Sequence, residues 1–191
     1  MTLIVAAMKE EIANIKDHDV LLTGIGKVNA ASKLTEAIIK HDIKAIYNVG
    51  FAGASHHYHV GDVIVVKKAM YHDVDVTLFG YEKGQIPHFP ASFASDKDLF
   101  NQATKSLIKA KIGDLYTGDY FMTEAVDIPY VVDMEGAALY HVAYMYDIPI
   151  VSIKVISDIV GMDDHYENYK AFEKDKGAKD IAKVIDLLVK E

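Results

Sequence analysis

Short apolar runs alternate with stretches of helical periodicity along this chain, and that alternation restricts the fold more than any other feature of the sequence. Leu3 to Ala7, Val20 to Thr23, Ala45 to Val49, Asp114 to Gly118, Tyr130 to Val132 and Ile148 to Ile156 read as strands, and Asp62 to Val66 and Ala69 to Thr77 as two longer ones. Lys9 to Ile15 starts as a helix, and Val28, Ala31, Leu34 and Ile38 recur at helical spacing. Leu99 to Ile108, Gly136 to Tyr146 and Ala178 to Val189 continue the pattern. Strands that alternate with helices bury their apolar faces best as helices packed on a largely parallel sheet. The expected fold is α/β, with a central mixed, largely parallel sheet flanked by helices. No repeat, low-complexity tract or Pro/Gly/Ser-rich linker divides residues 1–191, so one domain is expected.

Composition narrows the function classes. Hydrophobic residues make up 51% and charged residues 25%, ordinary values for a soluble globular chain. The apolar runs fall well short of the roughly 18 residues of a membrane span. The N-terminal apolar strand passes straight into acidic residues with no basic region before it, which argues against a signal peptide. There is no Cys, and the default expectation is a cytoplasmic protein without disulfides. The net charge of −8 disfavours a nucleic-acid partner. All 20 basic residues are Lys, so the planar fork that usually grips phosphate is missing, and Lys could bind phosphate only as a point charge.

Acidic residues sit where such a fold concentrates chemistry. Val151-Ser-Ile-Lys-Val-Ile-Ser-Asp158 is a mostly apolar run closing on an acid, and open α/β sheets bind ligands beyond the carboxyl ends of their strands. Desolvation there raises a carboxylate's affinity for a proton, which suits a general acid. Glu10 and Glu11 follow the first strand; they suit a helix N-terminus, and a carboxylate there could also activate water. Asp133 and Glu135 open a helix, where capping would account for them unless Glu11 and Asp158 join them in one site.

Other motifs favour simpler readings. Gly24-Ile-Gly-Lys27 lacks the glycine spacing and following hydroxyl of a phosphate loop and reads as a tight turn, with Ile25 available to a pocket wall. Gly50-Phe-Ala-Gly53 reads as a second close turn. His56-His57-Tyr58-His59 looks like a metal cluster but needs a carboxylate or further His at suitable spacing, and reads as a solvated loop. Phe79, Tyr81 and Phe121 each read as core before ligand platform. Pro87 and Pro90 interrupt an irregular segment from Phe79 to Phe93.

Taken in order, Ala6-Ala-Met8-Lys-Glu-Glu11, Thr23-Gly-Ile-Gly-Lys-Val28, Asn48-Val-Gly50, Asp73-Val-Asp-Val-Thr77, Phe79-Gly-Tyr81, Thr117-Gly-Asp119, Asp133-Met-Glu135 and Ile156-Ser-Asp158 form a set. That set resembles the nucleoside phosphorylase superfamily and, within it, the 5′-methylthioadenosine/S-adenosylhomocysteine nucleosidases. The resemblance implies hydrolysis of the N-glycosidic bond of a 5′-thio-substituted adenosine, with adenine released and no cofactor or metal. It implies that Asp158 protonates adenine N7, that Ser157 orients it, and that Glu11 acts on the attacking water. Glu135 would hold the ribose hydroxyls, Met134 would pack on the ribose, Phe121 would stack on the base, and Met122 would offer backbone contacts. Met8, Ile25, Val76, Phe79 and Tyr81 would take the alkylthio group, and Pro87 would reach the site of a partner subunit in a homodimer.

The same resemblance marks departures. Phe51 stands where the hydrolases carry Ser, and Lys154 where they carry Arg. The chain is short between Ile15 and Val20 and again after Met122, and Tyr166, Tyr169 and Phe172 all offer an aromatic after Asp158. Two other readings on the same fold stay open at this level: a phosphate-dependent purine nucleoside phosphorylase, and a non-catalytic nucleoside-binding protein.

Overall fold

The first three apolar runs pair with one another. In the computed structural model, which describes residues 1–16 and 18–188, β1 (Thr2–Ala6) runs parallel to both β2 (Val20–Leu22) and β3 (Ala45–Ala54). The short helix α1 (Lys9–Ile12) and the longer α2 (Lys27–Lys40) make the connections. The chain continues through β4 (Val63–Tyr71), β5 (Phe93–Ala94), α3 (Lys97–Ser106), β6 (Lys111–Thr117) and β7 (Val131–Asp133). It ends with α4 (Gly136–Met145), β8 (Ile150–Ile159), α5 (His165–Phe172) and α6 (Ala178–Leu188). Val189, which the periodicity assigns to the last helix, lies outside the described residues.

The expected mixed, largely parallel sheet is present, but part of it closes on itself. β3 pairs parallel with β8, β8 antiparallel with β4, β4 parallel with β6, β6 parallel with β7, and β7 antiparallel with β3. Closure removes free edges from these five strands. β8 is buried along its whole length, which is why it reads as a nearly continuous apolar run rather than an alternating one. On α2, Ala30, Leu34 and Ala37 face the core with Ala137, Ala138 and Leu139 of α4, whereas Val28 and Ile39 are exposed. No helix among the described residues is long and apolar enough to cross a membrane.

Several local expectations are corrected. Gly50 to Gly53 is not a turn; it lies inside β3, which is twice as long as its apolar run suggests. A side chain at Gly50 would collide with the Glu11 carboxylate, and one at Gly53 would come within 2.9 Å of Asp158 Oδ2. These glycines keep a strand open to the approach of acids. The runs 62–66 and 69–77 are one strand, β4, which accommodates Lys67 and Lys68 at a register shift against β6 and stops at Tyr71. Asp75 then accepts hydrogen bonds from Thr77 N and Oγ1, turning the chain out of the sheet. α1 ends at Ile12 instead of Ile15, closed by a turn from Ile15 N to Ile12 O. Asp158 is within β8, not beyond its end.

Candidate active site

A cavity of about 510 Å³ opens where the carboxyl ends of β1, β3, β7 and β8 converge, a size suited to a small molecule. Glu11 reaches it from the first turn of α1. Its Oε2 accepts from Ala7 N and Met8 N, both at 2.9 Å, and its Oε1 accepts from Phe51 N at 2.8 Å. Those three amides fix the carboxylate, while burial pushes its pKa up against the opposing pull of the Lys154 ammonium.

β8 delivers two consecutive residues to the cavity, Ser157 and Asp158, although a regular strand would send them to opposite faces. The cause is a bulge: Ala52 pairs with Ile156, but Gly53 pairs with Asp158, so Ser157 is extra on its strand. Ser157 Oγ lies within hydrogen-bond distance of both Asp158 Oδ1 and the Ala52 carbonyl, which compete for its one hydroxyl proton.

Glu135 stands just before α4, and Gly26 N donates to its Oε1 at 2.8 Å. Gly26 has φ +95, in the left-handed region that glycine adopts without strain, and this aims its amide at the carboxylate. Burial, and then the neighbouring Asp133 charge, push the Glu135 pKa from 4.5 to about 8. Beneath both acids, Lys154 Nζ lies 2.9 Å from Asp133 Oδ2 in a fully buried ion pair. Burial opposes the ammonium, yet Asp133, Glu11 and Glu135 together raise its pKa and hold it charged. Asp133 also accepts from Thr117 Oγ1 at 2.6 Å and from Gly136 N at 3.0 Å.

A raised carboxyl pKa means that the folded chain holds the proton more tightly than the unfolded one, so ionising Glu135 costs stability. That cost is absent below pH 4.5 and grows as pH climbs to about 8. Glu135→Gln keeps an acceptor for Gly26 N and lacks the ionisation. It is expected to raise Tm by about 3–10 °C near pH 8.5 and to change it little near pH 4, as a thermal melt across pH would read.

The structure brings Glu11, Asp158, Glu135, Met134, Phe121, Met122, Ser157, Met8 and Ile25 to this one cavity. It does not bring Val76, Phe79, Tyr81 or Pro87 there. They belong to the segment that leaves the sheet after β4, where Leu78 is 97% and Phe79 78% exposed. Tyr120 and Val132 also line the cavity, and no periodicity or motif singles them out. Of the aromatics after Asp158, Tyr166 and Tyr169 line it; Tyr169 Oη bonds Glu173 Oε1 at 3.2 Å, and its ring lies 5.9 Å from that of Phe121. Phe172 instead packs edge-on against Phe51 at 5.5 Å, beneath the cavity wall.

Comparison with known proteins matches residues 6–190 to the phosphorylase superfamily. A 5′-methylthioadenosine/S-adenosylhomocysteine nucleosidase of Bacillus cereus (strain B4264) is 39% identical over 165 residues, 78% of this chain and 71% of that protein. A Borrelia burgdorferi B31 chain solved with adenine superposes with a TM-score of 0.90 at 28% identity, covering 98% of each chain. The Neisseria meningitidis 5′-methylthioadenosine/S-adenosylhomocysteine nucleosidase in complex with methylthio-immucillin-A superposes with a TM-score of 0.87 at 27% identity, covering 98% of this chain and 97% of that one.

Proposed function

The chain belongs to the phosphorylase superfamily and, within it, to the 5′-methylthioadenosine/S-adenosylhomocysteine nucleosidases, and from this membership we infer that it hydrolyses the N-glycosidic bond of an adenine nucleoside and releases adenine. The observation that carries the reading is the convergence of Glu11, Glu135 and Asp158 on one cavity. Cleavage of an N-glycosidic bond passes through an oxocarbenium-like state and demands a protonated leaving group, so acids on both sides of the sugar suit it.

In this reading Asp158 gives a proton to adenine N7 and Ser157 orients the acid through its hydroxyl. Glu11 takes a proton from the attacking water. Glu135 accepts hydrogen bonds from the ribose hydroxyls, contacts that strengthen as positive charge develops on the sugar. Phe121 stacks on the base, Met134 packs on the ribose, and Met8 with Ile25 takes the thio-substituent. Purified protein is expected to free adenine from methylthioadenosine and S-adenosylhomocysteine at the same rate with and without inorganic phosphate. Turnover only with phosphate would establish a phosphorylase instead, and tight binding without turnover a carrier.

A homodimer completes the proposal. Val76, Phe79, Tyr81 and Pro87 leave the sheet together, and Leu78 and Phe79 would expose a large apolar surface in a lone subunit. Seated at the open mouth of a partner's cavity, that segment would supply the apolar wall for the alkylthio group. Phe79→Asp is therefore expected to give a monomer in sedimentation velocity and to raise KM for methylthioadenosine about tenfold, with kcat changed less. A wild-type chain that sediments as a monomer would end this part of the proposal.

A further inference from the structure

Away from the cavity, the fold supplies what the His56-His57 pair lacks in sequence. One ligand atom from each of His56, His57 and Asp127 lies within 4.8 Å of the others, and all three residues are exposed. The imidazole rings lie side by side, with centroids 4.2 Å apart and planes 31° apart, instead of pointing away from each other. His56 Nε2 is 3.5 Å from Asp127 Oδ1. His57 Nδ1 is 3.3 Å from Ser55 Oγ, which also accepts from Tyr130 N at 3.2 Å. A ligating imidazole is normally oriented by an outer hydrogen bond on its other nitrogen, and with Nδ1–H donating to Ser55 Oγ, His57 would offer Nε2 to an ion.

We propose that His56, His57 and Asp127 bind a divalent transition-metal ion of the zinc class, fastening the turn between β3 and β4 to the segment between β6 and β7. Two imidazoles and one carboxylate suit borderline ions and not calcium or magnesium, which prefer oxygen donors. Zinc bonds of about 2.0–2.2 Å would draw the ligand atoms to roughly 3.3 Å from one another, a closure that rotation of exposed side chains can supply. The fourth position faces solvent and is open to water. Asp127 lies on the same segment as Phe121 and Met122, so an ion held here orders one wall of the cavity without touching the reacting atoms.

The test uses tag-free protein stripped with a chelator and titrated calorimetrically with Zn²⁺. Wild type is expected to show one site, weakened at least about tenfold in both His56→Ala/His57→Ala and Asp127→Asn. Amide exchange across residues 119–130 is expected to slow on adding Zn²⁺ in wild type and not in either variant. All three side chains are exposed and separate from the acids of the cavity, so both variants should fold and release adenine normally without zinc. Equal Zn²⁺ affinity in wild type and variants would overturn the site, and unchanged exchange in a wild type that binds would overturn the tether.

Discussion

Asp158→Asn is expected to lower the turnover number for adenine release by about 10²–10⁴-fold while moving KM far less. Asparagine keeps the size of the side chain and an oxygen that can accept from Ser157 Oγ, so the bulge and the cavity wall should survive the change. What it removes is a proton that can pass to the base as the glycosidic bond breaks. Adenine is a poor leaving group as an anion, so loss of that proton falls on the chemical step and not on binding. Single-turnover measurements with methylthioadenosine, beside a direct measurement of adenine affinity, separate the two effects. A variant that turns over like wild type would remove Asp158 from the role of acid. Ser157→Ala serves as the graded comparison: it leaves the acid and deletes only the hydroxyl that orients it, so its loss should be markedly smaller.

Lys154→Met is expected to lower stability by about 3–5 kcal/mol, a fall in Tm of roughly 6–20 °C. Methionine fills nearly the same volume, so the effect reports charge and not a cavity. Lys154 is 3% exposed and is the cation shared by Asp133, Glu11 and Glu135. Without it, three buried carboxyl groups face one another with no counter-charge. The deficit should shrink in acid: removing the ammonium takes away the charge that lowers the raised pKa values of Glu11 and Glu135, and the penalty for ionising them disappears below the unfolded values. Melts of wild type and variant should therefore diverge near pH 8 and converge towards pH 4. Lys154→Arg keeps the charge, and its Tm should stay close to wild type. Equal melting of Lys154→Met and wild type at neutral pH would show that the ion pair adds nothing. Because Lys154 holds Asp133 at the base of Glu135, Lys154→Met should also weaken nucleoside binding, an effect that Lys154→Arg restores.

Much of this protein was legible in its residues because burial on a sheet leaves a one-dimensional mark. The wholly buried β8 reads as a continuous Val/Ile run, and α4, buried on nearly every side, as an Ala-rich apolar stretch. The acids stand out for a related reason: a charged residue at the end of an apolar run calls for a partner or a purpose. Asp158 could be picked out on that basis, whereas Glu11 and Glu135 read equally well as acids at helix starts, and it was an ordered set of short motifs resembling one family that joined the three.

The limits of the sequence follow from the same physics. Local pattern carries no information about closure, so the pairing of β7 with β3 that turns part of the sheet into a ring left no trace in the strand runs. Gly50-Phe-Ala-Gly53 looks like a turn because its composition is that of a turn; only the approach of Glu11 and Asp158 explains why a buried strand keeps glycine there. The bulge at Ser157, the capture of Glu135 by Gly26 and the pairing of Lys154 with Asp133 all join residues far apart in the chain. His56 and His57 acquire Asp127 in the same way. Sequence alone determined the α/β class, most of the strand and helix positions and, through an ordered set of motifs, the family, because those depend on which residues are present and on short-range periodicity. Tertiary structure alone decided which acids share a cation, which amides hold them and how the bulge on β8 brings Ser157 and Asp158 to one cavity, because electrostatics and hydrogen bonding act through space and are blind to order along the chain.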